Sequence, residues 1–296
     1  MQEWFKLAVL ALKISILMQV FAVGLGTTWQ DASYLFRSPR LLVNSILARN
    51  VAAPAIAILL IKAFSFHVAM EITLGVLAVT PVPPLLPRSQ LKSGARSEYV
   101  LGLLVSQSLL AVVLAPVTIE LMDCALGTHA HFSPGRVAAL VAKTILIPLL
   151  AGRLASRFLP KTSPMAPYLV TAGSVLLIAG FPPLLILGWR ALGALSGNGA
   201  MLALAIFVIA GTATGHFLGG PRAEDRTALA LATSSRHPGL ALAIAQANYP
   251  EQNKLVAGAI VIYLILRLII SVPYLRWSLP VRRLSFGSYG SRQSHP

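Results

Sequence analysis

Charged residues are scarce in this chain, and acidic residues are the scarcest. Only 11% of its 296 residues are charged and 56% are hydrophobic, whereas about a quarter of a soluble domain is charged. There are nine Asp and Glu against 24 Lys and Arg, and the single cysteine, Cys124, has no partner for a disulfide. The composition therefore excludes an ordinary soluble domain or a disulfide framework and predicts a polytopic membrane protein.

Catalytic and metal-binding patterns are also missing. The sequence offers no Ser-His-Asp order and no phosphate-cradling loop, and His129 and His131 with Asp123 are too sparse to predict a metal site. We therefore expect neither an enzyme nor a resident cofactor. The net charge of +15 does not predict a nucleic-acid partner, because most bases lie in short connections between apolar runs, where they orient a membrane protein.

Nine apolar segments approach the roughly 20 residues that a membrane-crossing helix needs. They are 5–26, 41–62, 67–93, 98–121, 133–155, 166–188, 199–219, 226–250 and 254–275. Glu3 and the lack of a small-residue cleavage site predict that the first segment is a retained helix rather than a signal peptide. The sequence thus predicts one transmembrane domain, residues 1–277, followed by a basic cytoplasmic tail, residues 278–296.

The bases predict the orientation of the chain. Fourteen of them fall on one side, namely Arg37, Arg40, Arg88, Lys92, Arg96, Arg153, Arg157, Lys161, Arg222, Arg226, Arg276, Arg282, Arg283 and Arg292. Five fall on the other side, namely Lys6, Lys62, Arg136, Arg190 and Lys254. Cytoplasmic loops carry the excess of Lys and Arg, so the N-terminus is predicted outside and the C-terminus inside.

Two of the nine segments contain helix breakers close to their centres. The segment 67–93 carries Pro81, Pro83, Pro84 and Pro87, and the segment 226–250 carries Pro238 and Gly239. Proline removes a backbone donor and clashes with the preceding turn, and freed backbone groups are tolerated in a membrane only against protein or a watery cavity. Paired interrupted segments point to the central site of a transporter. The alternative is that these prolines merely kink two packed helices.

Arg236 lies near the centre of the second interrupted segment, at a depth where the chain has no carboxylate. A central Arg costs about 2.5–3.5 kcal/mol on insertion scales and cannot lose its proton. We infer an anionic ligand held by Arg236, with hydroxyl contacts from Thr233, Ser234 and Ser235 and with Thr80 facing them from the other break. His237 and the near-central Lys143 complete this predicted site.

The same residues can also have purely structural roles. Arg236 can instead bond to carbonyls freed around the opposing break, Lys143 can face lipid headgroups or a neighbouring helix, and His237 can be a hydrogen-bonded core residue rather than a proton carrier. Three other bases within the segments, Lys13, Arg49 and Arg267, are expected to extend their long side chains toward water.

Three stretches resemble the bile acid:sodium symporter family, in a likeness that runs from about residue 5 to 277. They are VGLGTTWQDASYLFRSPRLLVNSILARNVAAPAIAILL, GVLAVTPVPPLLPRSQLKSG and DRTALALATSSRHPGLALAIA. The resemblance implies a panel domain and a core domain, two inverted repeats (about 5–121 and about 133–277) and two broken helices that cross at the substrate site. It also implies a nine-helix form in a bacterial inner membrane.

The chain departs from this family where sodium would bind. The resemblance implies a Glu…Gln-Asn pattern on the second crossing helix, but the chain has Ala232 to His237, without a carboxylate. The first crossing helix offers Pro84 to Pro87 instead of Thr, Ser and Asn, while Gln107 keeps some polarity near the family's ligands. The coupling ion is therefore left open between sodium and a proton. The leading hypothesis is a secondary transporter of a small organic anion; the alternative is a non-transporting sensor on the same fold.

Overall fold

A computed structural model of the chain describes residues 2–84, 86, 90, 95–126, 133–180, 182–183, 186 and 199–278. Every regular element in these ranges is helical, as an all-α polytopic membrane protein requires. In chain order the helices are α1 (Gln2–Gly26), α2 (Trp29–Ser33), α3 (Pro39–Ala63), α4 (Val68–Val79), α5 (Ser97–Leu126), α6 (Pro134–Phe158), α7 (Ala166–Ala179), α8 (Ala200–Leu218), α9 (Ala223–Ser234), α10 (Pro238–Asn248) and α11 (Asn253–Ser278).

Seven helical stretches in the described part of the chain are long and apolar enough to cross a membrane. They are Leu7–Gly26, Pro39–Ala63, Ser97–Leu126, Pro134–Phe158, Pro160–Ala179, Ala200–Leu218 and Pro250–Ser278. The other two predicted segments contain shorter helices: α4 has 12 residues, α9 has 12 and α10 has 11. At 1.5 Å per residue each is about 18 Å long or less, against a hydrocarbon core of about 30 Å. Nine crossings and the inverted repeats stay predictions.

Helices α3 and α6 each contain a turn of π-helix in front of a proline. The turn spans Leu47–Ala52 in α3 and Ala142–Leu146 in α6, and Pro54 and Pro148 follow it by two residues. Proline lacks the N–H that would continue the α-helical ladder, and its ring clashes with the carbonyl four residues earlier. The wider turn relieves that clash without ending either helix.

Helix α1 packs lengthwise against α6 and α7, and these three helices are called the α1 group. Gly24 and Gly152 allow the close approach: a side chain at Gly24 would meet the carbonyl of Leu149, and one at Gly152 would meet the carbonyl of Phe21. Backbone thus touches backbone where α1 crosses α6, as small residues permit between membrane helices.

A second set of helices, called the α4 group, consists of α3, α4, α5, α8, α9, α10 and α11. Within it α8 packs against α9, and α4 packs against α10 and α11. The two groups meet along α5 and α6, and they also meet where α10 begins, because a side chain at Gly239 would strike Ile16 of α1. The two helix breaks therefore lie beside the boundary between the groups.

Some predicted features lie outside the described residues. These are Pro87 of the first break, the orienting bases Arg88, Lys92 and Arg190, His129 and His131 of the sparse histidine group, and the predicted tail from residue 279 onward.

Candidate functional site

The first helix break begins where α4 ends. Val79 is the last residue of α4, and Thr80 after it is extended, with φ −73° and ψ 141°. Pro81 follows directly, and a residue in front of proline is driven out of the α region by the ring. The sequence Thr80-Pro81 therefore ends α4 for a local steric reason, and it leaves the last carbonyls of α4 without helical partners.

The second break separates α9 from α10. Ser235 and His237 are both extended, and Pro238 is the first residue of α10. Proline suits this position because its missing N–H would have no helical partner there. The imidazole Nδ1 of His237 accepts the backbone N–H of Leu240 at 3.4 Å, so His237 caps α10 with its side chain.

Arg236 lies between these two half-helices and is 2% exposed. Its guanidinium donates to the carbonyls of Ala78 and Thr80, both at 3.3 Å, and also to the carbonyl of Arg49. The backbone N–H of Arg236 donates to the hydroxyl of Tyr263, and that hydroxyl donates to the carbonyl of Ser234, each at 2.7 Å. Arg236 thus bonds to carbonyls that the opposite break has freed.

Arg49 makes the complementary contacts from the π-turn of α3. It is 1% exposed, and it donates to the carbonyl of Ala232 in the last turn of α9 and to the carbonyl of Thr80 at 3.3 Å. The Thr80 carbonyl therefore accepts from both arginines. The expectation that Arg49 extends toward water is wrong, because α3 carries it into the crossing of the two breaks rather than toward an interface.

The acid nearest along the chain, Asp225, is already neutralised elsewhere. It forms a two-bonded ion pair with Arg96 at the start of α5, with Nη2–Oδ2 at 2.7 Å and Nε–Oδ1 at 3.1 Å. Partial burial lowers the pKa of Arg96, but the hydrogen bond and charge of Asp225 outweigh it and leave that pKa above its ordinary value. Asp225 is therefore not a counter-charge for Arg236, which lies eleven residues further along the chain.

A cavity of about 400 Å³ opens beside the two breaks, between the α1 group and the α4 group. Residues of α1, α7, both breaks, α10 and α11 line it: Gln19, Pro83, Pro84, Leu86, Leu177, Ser235, Arg236, His237, Pro238, Leu264, Ile265, Arg267 and Leu268. Among the described residues, the lining combines two permanent cations with mainly apolar side chains and contains no carboxylate.

Four of these lining residues carry a buried polar atom that lacks a hydrogen-bond partner among the described residues. The atoms are Oγ of Ser235, Nε of Arg236, Nε2 of His237 and Nε of Arg267. Because Nδ1 of His237 accepts a hydrogen bond, the neutral ring carries its proton on Nε2, which is then a donor. All four groups can donate a hydrogen bond, and buried donors without acceptors are uncommon in native proteins.

The structure brings only some of the predicted residues to this cavity. Ser235, Arg236, His237, Pro83, Pro84 and Pro238 line it, Pro81 is buried in the first break, and Gly239 abuts α1. The hydroxyls of Thr233 and Ser234 instead bond to carbonyls of their own helix, Leu229 at 2.8 Å and Ala230 at 3.0 Å.

Three further predicted residues lie away from the lining. Thr80 contributes its carbonyl to the arginines, and its hydroxyl bonds to the carbonyl of Leu77 at 3.0 Å. Gln107 joins α5 to α3, accepting from Asn50 at 2.9 Å and donating to Ser45 at 3.2 Å. Lys143 is exposed on α6 and does not line the cavity.

Four residues with polar or charged side chains at the crossing or the cavity were not predicted as site residues: Gln19, Arg49, Tyr263 and Arg267. Gln19 is buried, and its amide donates to Ser15 at 2.8 Å, which in turn donates to the Gly173 carbonyl at 2.6 Å. A polar or charged residue in the middle of an apolar segment is the signal that these residues share. Sequence alone does not say which of many such positions meet.

A metal site finds no support in the described part of the chain, where no three His, Cys, Asp or Glu side chains cluster.

The chain is similar to one known protein family. The model of the sodium bile acid symporter family matches residues 13–188, which is more than half of the chain. No curated protein matches the chain. The family match covers the first break and ends before α8, so the second break, with Arg236, lies beyond it.

Proposed function

The chain belongs to the sodium bile acid symporter family, and we propose that it is a secondary transporter of a small organic anion. Members of this family are membrane transporters rather than enzymes, and no chemical reaction forms part of the proposal. The choice of an anion rests on one observation: four buried donors that lack acceptors among the described residues line one cavity, and the described lining contains two arginines and no carboxylate.

The electrostatics of the cavity favour an anion over a neutral or cationic solute. A guanidinium in a membrane interior needs a counter-charge or several acceptors. Arg236 has three carbonyl acceptors, but its Nε and the Nε of Arg267 have none among the described residues, and the described lining of the cavity supplies no counter-charge. A carboxylate, sulfonate or phosphate group can accept from several donors at once and suits the planar guanidinium. We assign the anionic group to Arg236 and Arg267, with Ser235 and His237 as additional donors.

The rest of the lining indicates an organic substrate. Leu177, Leu264, Ile265 and Leu268 surround the donors with apolar surface, and a few placed polar groups in an apolar cavity are the usual form of a small-molecule site. Gln19 supplies the polar contact from the α1 side. A substrate with one anionic end and an apolar body would satisfy both parts of the lining.

Alternating access follows from the position of the cavity between two groups of helices. In the proposal the α1 group is the panel and the α4 group is the core. Each predicted repeat, about 5–121 and about 133–277, contributes helices to both groups. Transporter sites commonly lie where two interrupted helices meet near the bilayer centre. A ligand that binds the two groups together stabilises a state between the inward-open and outward-open forms, and this difference in affinity moves the equilibrium.

The proposed setting is a bacterial inner membrane, with the N-terminus outside and the C-terminus inside. The excess of Lys and Arg on alternate connections supports this orientation. Residues 1–277 would form the transport domain, and residues 278–296 would form a basic tail on the cytoplasmic side.

A screen of organic anions by thermal stability, with sodium and without it, tests the proposal on the purified full-length chain. A binding anion should raise the melting temperature by an amount that grows with the logarithm of its concentration once that concentration exceeds the dissociation constant. Arg267→Gln and Arg236→Gln should abolish that rise, whereas Lys62→Gln, which removes an exposed charge on α3, should retain it. If Arg236→Gln and Arg267→Gln respond to the anion as the unmodified chain does, the assignment of the site is wrong.

A binding or sensing protein on the same fold is the second candidate. Arg236 is already bonded to three carbonyls, and this favours a crossing that is held in one arrangement. Counterflow in proteoliposomes separates the two functions. A transporter exchanges an identified ligand across the membrane, and a sensor binds it without exchange.

A further inference from the structure

The carbonyls at the two helix breaks form a surface that attracts cations. Ala78 lies in the last turn of α4 and Thr80 directly follows that helix, while Ala232 and Ser234 lie in the last turn of α9. Carbonyls at a helix C-terminus lack helical partners and carry the negative end of the helix dipole. In transporters with interrupted helices, such carbonyls coordinate the coupling sodium ion.

In this chain those same carbonyls are occupied by side chains. Arg236 binds the carbonyls of Ala78 and Thr80, Arg49 binds those of Thr80 and Ala232, and the hydroxyl of Tyr263 binds that of Ser234. A sodium ion would have to displace these donors and would stand beside two permanent cations. The residues present therefore do not fit a sodium site at the crossing.

We infer that Arg49 and Arg236 are built-in cations that replace a mobile coupling cation at the crossing of the two breaks. Each arginine bonds to a half-helix in another part of the chain: Arg49 extends from α3 to α9, and Arg236 extends from the second break to α4. The guanidinium groups tie these segments together without a bound ion. The described contacts assign this role to Arg49 as much as to Arg236.

The consequence for transport rests on the proposed function. A transporter whose crossing is closed by covalently attached cations does not require sodium to assemble its site, so anion movement should be uncoupled from the sodium gradient. The consequence for the fold does not depend on transport, because it concerns only which groups satisfy the carbonyls. The two consequences can therefore be tested separately.

The first measurement needs no variant and no substrate. The melting temperature of the full-length chain in detergent should be the same in sodium chloride as in choline chloride at equal ionic strength. A sodium-specific rise of the melting temperature that grows with the logarithm of the sodium concentration, as linkage to a bound ion requires, would overturn the inference.

The second measurement replaces the built-in cation with a free one. Arg49→Ala should lower the melting temperature by about 5 °C or more, and millimolar guanidinium ion should restore part of the loss while choline should not. Arg49→Lys keeps the charge but loses the planar fork, so its melting temperature should lie between those of the unmodified chain and Arg49→Ala. Lys62→Ala is the control and should not respond to guanidinium. Equal responses of Arg49→Ala and Lys62→Ala would contradict the role of Arg49, and if Arg49→Ala cannot be purified, Arg49→Lys and the sodium titration decide.

The third measurement tests the consequence for transport with an anion that has already been shown to bind. Its exchange in proteoliposomes should proceed at the same rate, within about twofold, when choline replaces sodium on both sides. A rate that collapses without sodium would refute the built-in cations while leaving anion transport intact. If no anion exchanges under either condition, the proposed function fails and the thermal measurements still test the cations.

Discussion

Arg49 and Lys143 occupy the same local setting and opposite environments. Each lies in a turn of π-helix, five residues in front of a proline, and each proline is the second residue of the α-helical stretch that follows. Arg49 is 1% exposed and bonds to carbonyls of both helix breaks, whereas Lys143 is exposed on α6. The same local structure, a cation in a π-helical turn before a proline, is thus buried in α3 and exposed in α6.

The difference teaches that the proline explains the turn but not the use of the cation. Pro54 and Pro148 widen the preceding turn for the same steric reason. Whether the cation in that turn is buried depends on the helices packed against it. Helix α3 faces the ends of α4 and α9, whose carbonyls accept from Arg49. In α6 the face that contains Gly152 packs closely against α1, and Lys143 lies exposed on the surface of α6.

The largest expected difference is between Arg49→Met and Lys143→Met. The change at Arg49 leaves the Ala232 carbonyl without its donor, and a buried polar group left unsatisfied costs about 1–3 kcal/mol. Lost packing of the long side chain adds to this, so the free energy of unfolding should fall by about 2 kcal/mol or more. Lys143→Met should change it by about 0.5 kcal/mol or less. Thermal unfolding in detergent measures both, and equal losses would show that Lys143 is also structural.

A smaller difference is expected between two glycines of α6. Gly152→Ala places a methyl group against the Phe21 carbonyl of α1, whereas a methyl group at Gly135 would meet no atom of another described segment within 4 Å. Overpacking of a tight contact costs about 1–3 kcal/mol, so Gly152→Ala should lower the melting temperature while Gly135→Ala leaves it unchanged. A neutral Gly152→Ala would mean that α6 does not press against α1, and Lys143 would then lack the stated reason for its exposure.

The smallest effect is expected from Pro54→Ala and Pro148→Ala. Each change restores a backbone N–H and removes the ring that widens the turn, and the cost or gain in stability should be below about 1 kcal/mol. Hydrogen exchange should slow in residues 47–52 of the first variant and in residues 142–146 of the second, because a regular α-helix re-forms. If only one variant gains protection, the two π-turns have different causes.

Much of the fold was predictable because its signals are local. Apolar segments of sufficient length predicted an all-helical membrane protein, and the described part of the chain contains seven helices that fit that prediction. The positions at which α4 and α9 end coincide with Thr80-Pro81 and with the stretch before Pro238. Steric exclusion by proline acts within a few residues, so no knowledge of the tertiary structure is needed to locate such a boundary.

The site was predictable only in part, because it is made of contacts between distant segments. The stretch around Arg236 stood out as a permanent cation beside two helix breakers. Nothing local distinguishes Arg49 from Lys143, or Gln19 from other polar residues in apolar segments. Thr233 and Ser234 were expected to face the ligand, but the i−4 carbonyls of their own helix already accept their hydroxyls, as is common for Ser and Thr in helices.

The sequence by itself determined the class of the protein, the approximate limits of its membrane helices, the two breaks and the excess of permanent cations over acids. These properties follow from hydrophobicity, from the geometry of proline and from charge, which act at single residues or over one turn. Only the tertiary structure decided that Arg49 and Arg236 meet, that they share the carbonyl of Thr80, and that Arg267 and Gln19 reach the same cavity. A hydrogen bond to a carbonyl depends on the distance and direction of the donor, and the packing of the helices sets both.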